Sequence, residues 1–157
     1  MSETLTATEI RLPEAEAELA LAEANAVLAA AGGEGYRSEL SALVEAIGSG
    51  SLGETEAATL EPILELALQT GRIRAIYGPP GEQAALRLYR RLPRGRELQR
   101  SAREVSEALS SLQGQVLEGA TVSAYGPGAF TLTLATSEGA LTVRLDRQGA
   151  RVTSVEV

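Results

Sequence analysis

Residues 129–146 read AFTLTLATSEGALTVRLD, and the alternation in this stretch decides the fold. Phe130, Leu132 and Leu134 recur at every second position, as do Leu141, Val143 and Leu145. Thr131, Thr133, Thr142 and Arg144 lie between them. A period of two puts each apolar trio on one face of a strand. Ser137, Glu138 and Gly139 separate the runs by a short turn, which makes the pair an antiparallel hairpin. The same alternation extends outward. Strands are expected near 116–125, 129–136, 140–146 and 151–157, joined at Gly126–Gly128, at 137–139 and at Arg147–Gly149. Val152 conflicts in parity with Val155 and Val157, which calls for a bulge in the last strand or a covering on both of its sides.

Immediately before the strands, the spacing changes to that of a helix. Leu98, Ala102, Val105, Leu109 and Leu112 keep heptad spacing over about 96–112, so this helix is the natural cover for the sheet's apolar face. The whole is expected to be α+β. An N-terminal helical hairpin and further helices precede a C-terminal four-stranded antiparallel β-meander covered by a long helix.

The first helix should start near Pro13 and stop at Gly32 and Gly33. It carries two stripes on nearly opposite faces, Ala15/Leu19/Ala22/Ala26/Ala29 and Ala17/Leu21/Ala24/Leu28/Ala31. A second helix at about 38–47 completes a hairpin but covers one stripe only. The other stripe, represented by Ala17, Leu21, Ala24 and Leu28, is the candidate self-association surface, and a homodimer is the expected closed form. Gly48–Gly53 then reads as a flexible joint. The expected organisation is an acidic hairpin at 1–47, a Gly/Ser linker at 48–54 and an α+β domain at 55–157. That domain holds a helix to Thr70, a short strand at 72–77, basic helices over 81–112 and the meander over 116–157.

Composition excludes much chemistry. The 157 residues include 14 Arg, no Lys, 20 Glu, one Asp, and no His, Cys or Trp. His/Cys zinc sites, disulfides, Ser-His-Asp or Cys-His nucleophiles, Schiff-base lysines and a P-loop lysine are therefore ruled out. No cofactor is expected, and an enzyme is not. No stretch is apolar enough to span a membrane, and the start MSETLTATEI lacks a signal peptide's pattern, so a cytoplasmic protein is expected. Gly48, Gly50 and Gly53 match the spacing of a dinucleotide-binding loop, but helical spacing precedes them and no acid follows the next expected strand.

The charge is segregated. Residues 1–70 carry −11, residues 71–110 carry +5 and the remainder −1. Arg100 and Arg103 have Glu104 and Glu107 four residues on, whereas Arg87, Arg90, Arg91 and Arg94 lack such local partners. These four are the candidate contacts for an acidic partner, whether an external polyanion or the protein's own Glu-rich hairpin. The run from Ser101 to Leu112 resembles the recognition helix of winged-helix DNA-binding domains, with Gly126–Gly128 as the wing tip. That resemblance implies a nucleic-acid-binding module using the Arg-rich region 87–103. Glu104 and Glu107 would face phosphates in it. The favoured expectation is a non-catalytic interaction or assembly protein that self-associates through helices, with its protein partner unnamed.

Overall fold

The computed structural model describes residues 9–157. Residues 1–8, which carry most of the N-terminal stretch weighed above as a signal peptide, lie outside them. Two compact units follow each other, the first ending at Gly95 and the second being Arg96–Val157.

In the first unit, β1 (Ile10–Arg11) leads into α1 (Glu14–Ala30), then α2 (Glu34–Ser49), β2 (Ser51–Leu52), α3 (Glu54–Gln69) and α4 (Arg72–Tyr89). Pro13 is the residue before α1, with Glu14 and Glu16 in the first turn, where carboxylates oppose the helix dipole. Arg37 closes the other end of α1, donating to the Leu28 and Ala31 carbonyls at 3.2 and 3.1 Å. One apolar core joins all four helices through Leu19, Ala20, Ala24, Leu40, Leu43, Leu60, Leu64, Ile73 and Leu88.

Three expectations need correction here. The 48–53 segment is structured: α2 runs on through Ser49, and Ser51–Leu52 pairs antiparallel with Ile10–Arg11. Leu52 is fully buried, which gives the joint an apolar anchor that glycine content alone conceals. The expected boundary at 48–54 thus falls inside the first unit. Secondly, α2 begins at Glu34 rather than 38. The third helix, expected to end at Thr70, is α3 and runs through Pro62. Pro62 is exposed, and so is Ala58, the residue whose carbonyl loses its usual donor, so water can replace that bond. Thirdly, 72–77 is helical. A helix brings Ile73 and Tyr77 onto the core side and leaves Ile76 outside, whereas a strand would have aligned Ile73 with Ala75. Gly78, at φ 69° and ψ −174°, breaks α4 just before Pro79 and Pro80, so the prolines enter a fresh first turn.

The second unit agrees closely with the alternation. Helix α5 (Pro93–Ser110) begins in the last residues of the first unit and precedes β3 (Leu117–Gly126), β4 (Ala129–Thr136), β5 (Gly139–Asp146) and β6 (Gly149–Glu156). The strands form one antiparallel sheet in the order β3-β4-β5-β6. Register sets Phe130 opposite Leu145, Leu132 opposite Val143 and Leu134 opposite Leu141. The anticipated irregularity in β6 is present, since Val143 faces Val152 while Leu141 faces Val155. Part of the face is covered by α5 through Val105, Ala108, Leu109 and Leu112, which pack with Leu132, Leu141, Val143, Ala150 and Val152.

Candidate functional site

The α1 residues expected to self-associate lie elsewhere than on a free surface. Ala24 is completely buried, and Ala17, Leu21 and Leu28 are half-buried against the core of the first unit. Helix α1 meets α2, α3 and α4, which cover the Ala17/Leu21/Ala24/Leu28/Ala31 stripe, while Ala15, Ala22, Ala26 and Ala29 of the other stripe stay exposed. Sequence order suggests only one neighbouring helix for α1; the fold adds α3 and α4.

The Arg candidates are also engaged at home. Glu16 is 5% exposed and accepts charge from both Arg91 and Arg87, the latter at 3.6 Å. Arg91 donates to the Arg11 carbonyl at 2.6 Å as well. Seven residues along α1, Glu23 is 2% exposed, pairs with Arg72 at 3.4 Å and accepts the Tyr77 hydroxyl at 2.9 Å. Arg90 and Arg94 have partners too, and the Arg94 backbone N–H donates to Glu61 at 2.7 Å. The acidic front and the basic middle are therefore stitched together along the α1–α4 seam, with the carboxylates buried and the guanidinium groups reaching in from the rim. Burial lifts the Tyr77 hydroxyl above its ordinary pKa, and the Glu23 hydrogen bond and charge lift it further against the pull of Arg72. Burial likewise raises Tyr89, aided by the charges of Glu65 and Glu61 and opposed by Arg94.

Helix at 72–77 also removes the strand that the winged-helix order requires between its first two helices. Within the candidate recognition helix, Val105 and Leu109 are turned to the chain's own sheet. Among the described residues, no three His, Cys, Asp or Glu side chains gather as a metal would require. No helix among them is long and apolar enough to cross a membrane. The glycine-rich 48–53 segment has α2 before it and α3 after it, not the strand-to-helix turn of a nucleotide loop.

Apolar surface is left open on the first unit at Tyr36, Leu66 and Ile76, and on one side of the meander. Helix α5 buries Leu141 and Val143, on β5, but leaves other parts of the same apolar face bare, Leu145 and Val155 on β5 and β6 and a strip toward β3. Val122 is 66% exposed and Phe130 47%, with Ala120 and Ala124 beside them on β3. Four strands at about 4.8 Å span roughly 19 Å, whereas one helix with its side chains is about 10–12 Å wide. One helix therefore cannot cover the whole face. On the opposite face, Arg144 stacks on Tyr125 at 3.5 Å from the ring centre, amid Thr131, Thr133 and Thr142.

The alternation in 129–146 identifies the residues of this face, but it carries no information on how much of the face α5 reaches. No family model, curated protein or solved structure matches the chain.

Proposed function

We propose that this chain is a non-catalytic interaction protein that takes an apolar helix of a partner protein onto the bare strip of its meander. The observation that supports this is the exposure of Val122 and Phe130 on a face whose other half is already occupied by α5. Exposed contiguous apolar surface of this kind marks interaction sites. Its binding mode would repeat the packing that α5 makes with the neighbouring strands.

The test uses the full chain with two probes, the apolar dye bis-ANS and a synthetic peptide of residues 96–112. The peptide carries the Val105/Leu109/Leu112 stripe that already fits this sheet. Both should bind the wild type, and both should be lost when Val122 and Phe130 are changed together to Ser with the β signal retained. A folded wild type that takes up neither probe refutes the proposal.

A further inference from the structure

A cavity of about 460 Å³ lies among α1, α2, α3 and the start of α4, within the first unit. Small organic molecules occupy cavities of this size. Val27, Ile63 and Leu66 give it apolar walls, with Tyr36 beside them. Leu66 and Tyr36 are exposed, so the cavity meets water at these two residues. Glu23 and Arg72 are the charged residues of its lining.

We propose that this cavity binds a small organic acid, an apolar body bearing one carboxylate, with the carboxylate on Arg72 and the body against Val27, Ile63 and Leu66. The hydrogen-bonding capacity left over in the lining selects that class. Glu23 is deep and already used. Its side chain is 3% exposed, Oε1 accepts the Tyr77 hydroxyl at 2.9 Å, and Oε2 faces Arg72 Nε at 3.4 Å. Arg72 is the reverse case. Its side chain is 49% exposed, and among the described residues its guanidinium meets Glu23 and makes no hydrogen bond elsewhere. A guanidinium has five N–H donors and no acceptor. Donors are therefore to spare at the cavity and acceptors are not, so the polar group that fits is an acceptor. A carboxylate is the one that matches a guanidinium in charge and in its two-pronged geometry. A molecule entering from water also meets Arg72 before Glu23, which is almost wholly covered. A phosphate, with up to two charges, would want a second cation, and the nearby Arg87 and Arg91 are already drawn to Glu16. The Glu23 contact restrains Arg72 beforehand, so less side-chain freedom is lost on binding. The site lies apart from the meander and does not depend on the reading given to it above.

Calorimetric titration of the full chain with octanoate, decanoate, octylamine and octanol tests this. Octanoate should bind one per chain, and affinity should rise about fourfold per added methylene toward decanoate. Octylamine and octanol should bind about tenfold more weakly than octanoate, for want of the charge-assisted hydrogen bonds to Arg72. Arg72→Gln should remove the advantage of the acid over the alcohol while leaving octanol binding as it was. Leu66→Glu puts a negative charge on the wall at an exposed position, so the helical signal should persist while octanoate binding falls about tenfold or more. Should Arg72→Gln not fold, Leu66→Glu carries the test. Octylamine binding as tightly as octanoate overturns the choice of an acid, and no binding of decanoate at millimolar concentration overturns the site. Affinity that survives Leu66→Glu overturns it as well. If that affinity is then lost on changing Val122 and Phe130 to Ser, the acid lies on the meander instead.

Discussion

The two units bury their apolar residues to very different degrees. The helical unit gathers most of its apolar residues into one core shared by four helices, with Tyr36, Leu66, Ile76 and the Ala22/Ala26/Ala29 side of α1 left outside it. The sheet unit has only Val105, Leu141 and Val143 fully inside, with a rim of half-buried residues about them. The difference comes from geometry. Helices can surround one of their number, but a single helix lies across part of a four-stranded sheet and leaves the rest bare. A closed region spends its apolar surface on its own stability. An open one keeps some for association.

The sharpest way to break this contrast is to truncate one leucine in each unit. Leu88 is fully buried, so Leu88→Ala should cost about 2–5 kcal/mol, whereas half-buried Leu109→Ala should cost roughly 1–2 kcal/mol. Denaturant titration followed by hydrogen exchange assigns each loss to its unit. Equal losses would mean that α5 is covered more deeply than the exposed strip implies.

A second, comparable effect concerns the seam. Changing Arg87 and Arg91 together to Ala leaves Glu16 buried without its cations, at a cost of about 3 kcal/mol. Glu16→Gln should cost less, since the two guanidinium groups, 56% and 37% exposed, can turn to water. The order of the two variants in a urea titration is the check.

The smallest effect is one of pH. Tyr77 holds its proton more tightly folded than unfolded, so its contribution is complete below the ordinary value of 10.0 and is lost as pH rises through the raised folded value. Stability of the helical unit should therefore fall above about pH 10. With Tyr77 and Tyr89 both replaced by Phe, the slope of that fall should flatten, because both hydroxyls are raised. An unchanged slope would show that neither hydroxyl is coupled to folding as described.

Legibility in the sequence follows the same division. In the sheet, each strand's own period names its inward residues, and the short turn at 137–139 is enough to bring the two apolar trios onto one face. In the helical unit the period is equally plain for α1, but its partners are not, because nothing local reports that residue 73 lies in the same core as residue 20. The segment 72–77 misleads for a related reason. Six residues alternating Arg, Ile, Arg, Ala, Ile, Tyr fit a strand or a helix, and the decision rests with the distant Glu23, which receives both Arg72 and Tyr77. The Arg cluster shows its lack of local partners in the sequence, yet Glu16 lies 71 and 75 residues away from Arg87 and Arg91. No pattern of short range reaches that far.

The short β1–β2 pair changes what a protease would accomplish. A cut beside Gly50, between the end of α2 and β2, severs the chain between α2 and α3. The residues before the cut would still lie in the same core as those after it, for Leu19, Leu40 and Leu64 share that core. Ile10 and Leu52, paired across the two strands, lie in it as well. A nicked molecule would therefore run as one particle under native conditions and as two fragments only once unfolded, so the segment between α2 and α3 marks a place where the protein can be cut without coming apart.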